Sequence, residues 1–269
     1  MVWYIGRNKY VSTSDRKLFA LLPYLRSAVI LLVTFVALPS GTLSAYAPFE
    51  PDASDKLEQE GRTYLEQYLK ANDQQDEKLR GIAMNVDIDA SLPTLNRKGK
   101  FHALRQISKL GQVTYRAITF QGDNTIKNDV IARYLQAEKE TAEKNLNLRR
   151  TPENYKFKYY GKFGDGDWTL HLFELTPKEK KPGLFQGWLW IHAKTGLPVR
   201  EQGEFVKNPS IFLKRVEFVR DYEIRNGVAV PVKIDSQIQT RIAGKAELSV
   251  RYSDVKAAPD TTTPVAEAR

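Results

Sequence analysis

The chain has 269 residues, no cysteine and a formal net charge of +9. Without cysteine it has no disulfide framework, no thiolate nucleophile, no cysteine-ligated zinc and no lipidated N-terminal cysteine. Its many aromatic residues, 13 Tyr, 12 Phe and 4 Trp, favour wide β-sheets over a helical bundle. The basic excess suits contact with anionic lipid, although a solvated surface of mixed charge has the same composition.

Residues 1–47 have the pattern of a secretory targeting segment. A basic, polar start ends at Arg26, an apolar run covers residues 28–38, and small residues offer cleavage after Ala45 or Ala47. The apolar run is short for a membrane-spanning helix. The pattern therefore predicts export by a secretory route, with an uncleaved membrane anchor as the alternative.

Two segments show helical periodicity. In residues 52–74, leucine and tyrosine recur near helical spacing among Glu, Gln and Lys, which predicts an amphipathic helix covering one face of a sheet. Residues 123–147 repeat the pattern and predict a second helix, inserted between strands. This inserted helix is well placed to be a lid over a sheet, although a plain packing helix has the same pattern.

Most of the remaining chain alternates apolar and polar residues with a period of two, which predicts about ten strands. Short turns rich in Gly, Pro, Asn and Asp separate most of them, so successive strands are expected to pair antiparallel. Two helices alone cover the apolar face of so broad a sheet only in part. A curved sheet wrapped around both helices, with room for an apolar concavity between them, would satisfy this pattern. The predicted strands cover residues 84–88, 101–107, 113–120, 155–163, 168–175, 184–192, 197–205, 211–224, 228–238 and 246–255.

The pattern of residues 183–203 predicts a β-hairpin that is apolar on both faces. Phe185, Leu189 and Ile191 share one face, and Trp188 and Trp190 share the other. One interpretation is that one of these faces helps to line a space for an apolar ligand. The other is an ordinary core strand buried on both sides.

No constellation for catalysis, metal binding or cofactor binding appears. His102, His171 and His192 stand on different predicted strands, and none belongs to an HExxH or HxH arrangement. Asp87 and Asp89 alternate with apolar residues, so they are expected on a solvated strand face. The chain also lacks a nucleophile elbow, a phosphate loop and a dinucleotide fingerprint. We therefore expect no enzyme, no cofactor, no metal and no nucleic-acid partner.

Two motifs carry a resemblance to a known family. Residues 189–200, LWIHAKTGLPVR, and residues 221–222 and 226–231, DY and NGVAVP, resemble the LolA/LolB-like superfamily of periplasmic lipoprotein carriers. The similarity is narrower still with outer-membrane lipoprotein-sorting relatives, and it covers roughly residues 52–255. It implies a mainly β fold with a few helices (α+β), an incomplete antiparallel β-barrel. In such a half-barrel, helices cover a concave face that accommodates acyl chains.

This resemblance implies a periplasmic carrier, or chaperone, for lipid or lipoprotein acyl chains in outer-membrane lipoprotein sorting, without catalysis. The alternative is an envelope interaction or stress-sensing module with the same fold, whose partners are envelope proteins or a membrane surface. Residues 48–255 then form one lipid-binding domain, and residues 256–269 a disordered tail. The candidate cavity-lining residues are apolar strand positions: Val86, Ile88, Phe173, Leu175, Leu189, Ile191, Phe218 and Val232. An error of one residue in the strand register would replace this set by the neighbouring residues.

Overall fold

In the part of the chain that the structure describes, ten strands form one continuous antiparallel sheet. The structure, a computed structural model, describes residues 53–73, 75–143, 147–208, 213–241 and 244–258. The chain enters it through helix α1, Ala53–Asn72, and the single turn α2, Gln75–Lys78. The strands are β1 Ile82–Leu92, β2 Arg97–Ile107, β3 Val113–Gly122, β4 Tyr155–Phe163, β5 Leu170–Pro177, β6 Phe185–His192, β7 Pro198–Phe205, β8 Leu213–Arg225, β9 Val228–Thr240 and β10 Lys245–Ala257.

The strand order across the sheet is β3-β2-β1-β10-β9-β8-β7-β6-β5-β4. Strands that are neighbours in the sheet are also neighbours in the chain except at one place, where β1 pairs with β10. There Val86 lies opposite Tyr252 and Ile88 lies opposite Val250. Because β3 and β4 remain as the two edges, the sheet does not close into a barrel.

The two faces of the sheet differ in what covers them. The face that carries Ile88, Val250 and Leu189 lies against the helices, and we call it the inner face. The opposite, outer face carries residues such as Asp87 and Arg251, which are exposed. This separation follows from the period-two alternation, because successive side chains of a strand point to opposite faces.

The inserted helix lies in the connection between the two edge strands. It begins with a π-helical turn, Ile126–Ile131, and continues as helix α3, Ala132–Glu143. The N–H of Ala132 donates to the carbonyl of Lys127, five residues earlier. In a regular α-helix, positions five apart are separated by about 140° around the axis. The wider turn brings them closer together, and both Ile126 and Ile131 are fully buried.

The predicted fold, an open antiparallel half-barrel with helices on one face, is confirmed by this sheet and its two long helical segments. Strand β4 has the predicted bounds, and the other strands overlap their predicted ranges. The predicted targeting segment at residues 1–47 lies outside the described residues. Of the predicted tail, residues 256–269, Lys256 and Ala257 belong to β10, and residues 259–269 lie outside the described residues. In the described part of the chain, no helix is long and apolar enough to cross a membrane.

Candidate functional site

The inner face holds two separate hydrophobic clusters. The first cluster lies under the inserted helix, on strands β1, β2, β9 and β10. The second cluster lies under helix α1, on strands β4, β5, β6 and β8. Each helical segment therefore covers its own part of the sheet.

The structure places seven of the eight predicted lining residues in these clusters. Val86 and Ile88 belong to the first cluster. The second cluster contains Phe173, Leu175, Leu189, Ile191 and Phe218. Val232 belongs to neither, because β9 bulges there: Asp221 faces Lys233 and Tyr222 faces Pro231, so Val232 has no partner on β8.

The hairpin at residues 183–203 divides its apolar residues between the two faces. Phe185, Leu189 and Ile191 are buried in the second cluster. Trp188 lies on the outer face, where its ring packs edge-on against Tyr160 at a centroid distance of 4.9 Å. Trp190 is also buried.

The inserted helix seats its first turn closely on the sheet. A Cβ added to Gly99 of β2 would lie 2.7 Å from Cγ2 of Ile126. A side chain at position 99 would therefore push the helix away. The apolar stripe that starts with Ile126 continues along the helix through partly buried residues, Val130, Tyr134 and Leu135.

A small polar latch holds the far end of the inserted helix. Glu138 accepts hydrogen bonds from Nε and Nη2 of Arg105, at 3.0 and 2.5 Å, and from the hydroxyl of Tyr115. Arg105 stands on the inner face of β2, and its side chain is only 10% exposed. Burial lowers the pKa of Arg105, but Glu138 more than offsets this, so the guanidinium stays charged. The latch is thus a buried ion pair at the border of the first cluster.

Helix α1 is held by the two turns whose residues carry the family resemblance. The amide of Gln67 donates to the carbonyl of Ala193 at 2.9 Å. A Cβ on Gly196, whose φ is +68°, would lie 2.8 Å from the carbonyl oxygen of Gln67. In the NG turn, the N–H of Ala229 donates to Oε1 of Gln75 at 2.8 Å. Both turns therefore position the helical segment that covers the second cluster.

A charged seam separates the two clusters. Across the inner face, one row of paired residues runs from Leu189 of the second cluster through Glu201 and Arg220 to Ile234 of the first. Polar residues thus interrupt an otherwise apolar row at its centre. We define the seam as Arg150, Glu201, Arg220 and Tyr222.

Glu201 is the centre of this seam. Arg150 approaches it with Nε 2.8 Å from Oε1 and donates from Nη2 to Oε2 at 2.8 Å. Arg220 donates from Nη1 to the same Oε2 at 3.0 Å, and to the hydroxyl of Tyr222 at 3.3 Å. Burial raises the pKa of Glu201, but Arg150 and Arg220 hold it below its ordinary value. The carboxylate is therefore ionised at neutral pH.

The sequence reasoning missed these seam residues and the latch, although a signal was present. Arg220 stands between Phe218 and Tyr222 in the series of inner-face positions of β8. A charged residue in such a series is unusual because burying a charge is costly unless it is paired. Arg105 occupies the same kind of position after Phe101 and Ala103 of β2.

The histidines have structural partners. His171 is buried, its Nδ1 lies 2.9 Å from the hydroxyl of Tyr159, and its ring stacks on Tyr64 at 3.4 Å. Burial, followed by Lys162, lowers the pKa of His171 to about 4, so the imidazole is neutral at pH 7. His102 pairs with Asp87 on the outer face. Among the described residues, no three His, Cys, Asp or Glu side chains are grouped as metal ligands would be.

A groove of about 1120 Å3, lined by polar residues together with apolar ones such as Trp188 and Val219, lies on the outer face and extends from β2 to β6. It is therefore distinct from the apolar, helix-covered face. Its polar lining residues are Asp89, Ser91, Lys98, Lys100, Gln186, Gln202, Glu204, Arg215, Glu217, Asp235, Ser236, Gln237, Glu247 and Ser249.

No family model matches this chain, and no curated protein matches its sequence. The solved structures that are similar to it at low identity include the following three. A DUF1329 family protein from Desulfovibrio piger is 11% identical over 76% of this chain and 94% of its own, with a TM-score of 0.40. A LolA superfamily protein from Nitrosomonas europaea is 13% identical over 72% and 94%, with a TM-score of 0.35.

The third structure is a putative outer membrane lipoprotein-sorting protein domain from Vibrio parahaemolyticus. It is 11% identical over 76% of this chain and 95% of its own, with a TM-score of 0.37. These structures include proteins of the superfamily that the turn motifs resemble. Identities and scores this low carry no argument about this chain, so its function has to be argued from its own residues.

Proposed function

We propose that this protein is a periplasmic binding protein that carries acyl chains of lipid or lipoproteins and catalyses no reaction. The observation that supports this best is the division of the inner face. An apolar surface on β1, β2 and β10 is covered by a separate helical segment, which lies in the connection between the two edge strands. Such a cover is able to leave the sheet without breaking a strand pair.

An acyl chain would take the place of the inserted helix on the first cluster. It would replace the contacts that Ile126, Ile131 and Leu135 make with the first cluster. Burial is worth about 0.8 kcal/mol per CH2 group, so roughly ten buried groups contribute about 8 kcal/mol. By the same measure, the two fully buried isoleucines of the helix, Ile126 and Ile131, contribute about 3–6 kcal/mol. The gain is of the same order as the loss of these contacts, which makes exchange of helix for ligand feasible.

The polar latch suits a cover of this kind. When the helix leaves, the carboxylate of Glu138 moves into water, where it regains its hydration. Arg105 loses its partner but lies at the edge of a surface that the ligand and water then reach. The closed state is thus favoured by a specific ion pair, and an incoming apolar chain competes with it.

The test combines binding with a report on the helix. A fluorescent long-chain acyl probe is titrated into the purified protein, and saturable binding with enhanced emission is expected. Because the chain contains no cysteine, the single variant Ile131→Cys reports on the inserted helix alone. Its thiol, buried in the closed state, should react with a thiol reagent several-fold faster once the probe is bound.

Leu184→Cys is the matched control, since this equally buried residue belongs to the second cluster under α1. Its reactivity should not change with the probe. If no acyl probe binds, the proposed carrier function is wrong, and the alternative hypothesis, an envelope interaction module with the same fold, is favoured. If the probe binds while Ile131→Cys stays protected, the inserted helix is not the cover that moves.

A further inference from the structure

We infer that the seam around Glu201 is a subsite for the oxyanion head group, phosphate or carboxylate, of an amphiphile whose acyl chain lies on the first cluster. This inference rests on the proposed function and adds the chemical class of its ligand. Three properties of the seam arginines, Arg150 and Arg220, support it: their charge, their accessibility and their position.

The charges of the seam do not balance. Arg150 and Arg220 both bind Glu201, the carboxylate that acts most strongly on each of them. Two guanidinium groups thus share one carboxylate, and Tyr222 adds only a neutral hydroxyl. An excess of positive charge in a largely buried place is unfavourable, and a second anion would balance it.

The arginines are reachable from solvent, although the acid between them is not. The side chains of Arg150 and Arg220 are each 25% exposed, whereas that of Glu201 is 3% exposed. Each guanidinium has five N–H donors in a planar fork that matches the geometry of phosphate and carboxylate. The arginines can therefore hold Glu201 from one side and meet an oxyanion from the other.

The position of the seam joins the head group to the proposed chain site. Arg220 pairs across the sheet with Ile234, a residue of the first cluster. Tyr134 of the inserted helix and Tyr252 of β10 are close enough to interact electrostatically with Arg220. When the inserted helix is displaced, a chain on the first cluster would end at this arginine.

The loop that carries Arg150 also links the seam to helix α1. The neighbouring Arg149 donates from Nη2 to the carbonyls of Asn72 and Asp73 at the end of α1, at 3.4 and 3.2 Å. Arg150 itself lies over the ring of Phe185, 5.7 Å from its centroid. The second cluster and its helix therefore border the seam on one side, and the first cluster borders it on the other.

The experiment compares amphiphiles of one chain length and different head groups. An alkyl phosphate, a fatty acid, the corresponding alcohol and the trimethylammonium amphiphile each displace the fluorescent acyl probe in a competition assay. The two anionic ligands should bind about tenfold more tightly than the alcohol, the size of one good charge-assisted contact. Inorganic phosphate, tested alone, should not displace the probe.

Arg150→Gln should reduce the anionic preference to about the level of the alcohol, and Arg220→Gln should do the same. Arg150→Gln leaves one arginine for one carboxylate, so the fold should persist, which thermal unfolding checks. The matched control is Arg200→Gln, which lies on the adjacent residue pair of β7 and β8, Arg200 with Asp221, at 2.6 Å on the outer face. This control should keep the wild-type preference.

Three results would overturn the inference. If the alcohol binds as tightly as the anions, the seam is only a structural ion cluster and the carrier function stands. If the seam variants keep the anionic preference, the head group lies elsewhere. If inorganic phosphate alone displaces the probe, the seam takes a free anion rather than a head group. Should none of the amphiphiles bind, the proposed function fails together with the inference.

Discussion

The buried charges of the inner face determine much of its behaviour at the scale of single residues. Glu201 keeps its charge away from water because two arginines surround it. Removing one partner of such a group costs far more than removing a surface ion pair, since the remaining charges stay desolvated. The same reasoning applies to Glu138 and Arg105, whose pair borders the inserted helix.

Glu201→Gln should therefore destabilise the protein by about 3–5 kcal/mol, because two guanidinium groups lose their common counter-charge. Urea unfolding at neutral pH measures this loss. The control Asp221→Asn, which removes the acid of a half-exposed pair on the outer face, should cost about 0–1 kcal/mol. Equal losses in the two variants would contradict a special role for the seam.

The contribution of Glu201 to the free energy of unfolding should depend on pH in a defined direction. The pKa of Glu201 is lower in the folded protein than its ordinary value, because its two arginines outweigh the effect of burial. Its contribution is therefore present above the ordinary carboxyl pKa and is lost as the pH falls through the folded value. In Glu201→Gln, the free energy of unfolding should fall less steeply in this acidic window than in the wild type.

At the scale of elements, the two helical segments are attached to the sheet in different ways. Helix α1 is tied to turns of the sheet through Gln67 and Gly196, and by Gln75 just after its end. The inserted helix has an irregular first turn and a latch at Glu138. A π-helical turn inside a helix is often found at functional sites. This contrast is consistent with a fixed α1 and a movable inserted helix.

The fixed attachment of α1 can be tested with two glycine variants. Gly196→Ala and Gly227→Ala place the same methyl group on backbones with φ of +68° and +72°. Each should lose about 1–2 kcal/mol from the left-handed backbone. Gly196→Ala should lose at least about 1 kcal/mol more, because its Cβ meets the backbone of α1. Among the described residues, no heavy atom other than those of the adjacent residues lies within 4 Å of a Cβ at Gly227.

Urea unfolding of both variants gives the two values. Equal losses would mean that α1 yields easily at this turn and is not fixed there.

At the scale of the whole molecule, the sheet is held together by one pairing between distant parts of the chain. This pairing joins strand β1, the first strand of the sheet in chain order, to strand β10, the last. Val250 of β10 stands between Ile88 and Ile234 of the neighbouring strands, and it is fully buried in the first cluster. The strands β1 to β3 depend on this contact for their connection to the rest of the sheet.

Val250→Asp should therefore unfold the protein or reduce its stability by more than about 4 kcal/mol, since it buries an unpaired charge. Arg251→Ala, one residue further on the outer face, should stay within about 1 kcal/mol of wild type, the range of exposed ion pairs. Circular dichroism and urea unfolding distinguish these outcomes. A folded Val250→Asp protein of near-normal stability would contradict the central position of this pair.

The amino-acid sequence alone was sufficient for the elements and the fold class. Alternation along β8, the helical spacing in α1 and the turn residues Asn226 and Gly227 are local patterns, so each is legible within a short window. That Val86 and Ile88 share the apolar face of β1 follows from the same alternation. The strand of Leu189 is apolar on both faces, so only the structure decided that Leu189 lies on the inner face. The use of these residues as a binding surface stays a prediction.

The tertiary structure alone decided which distant residues meet. The pairing of β1 with β10, the division of the inner face into two clusters and the bulge at Val232 depend on contacts between segments far apart in the chain. Arg150 comes from a loop, Glu201 from β7 and Arg220 from β8, and no local pattern relates them. A buried charge is stable only beside its partner, and that partner is supplied by the fold.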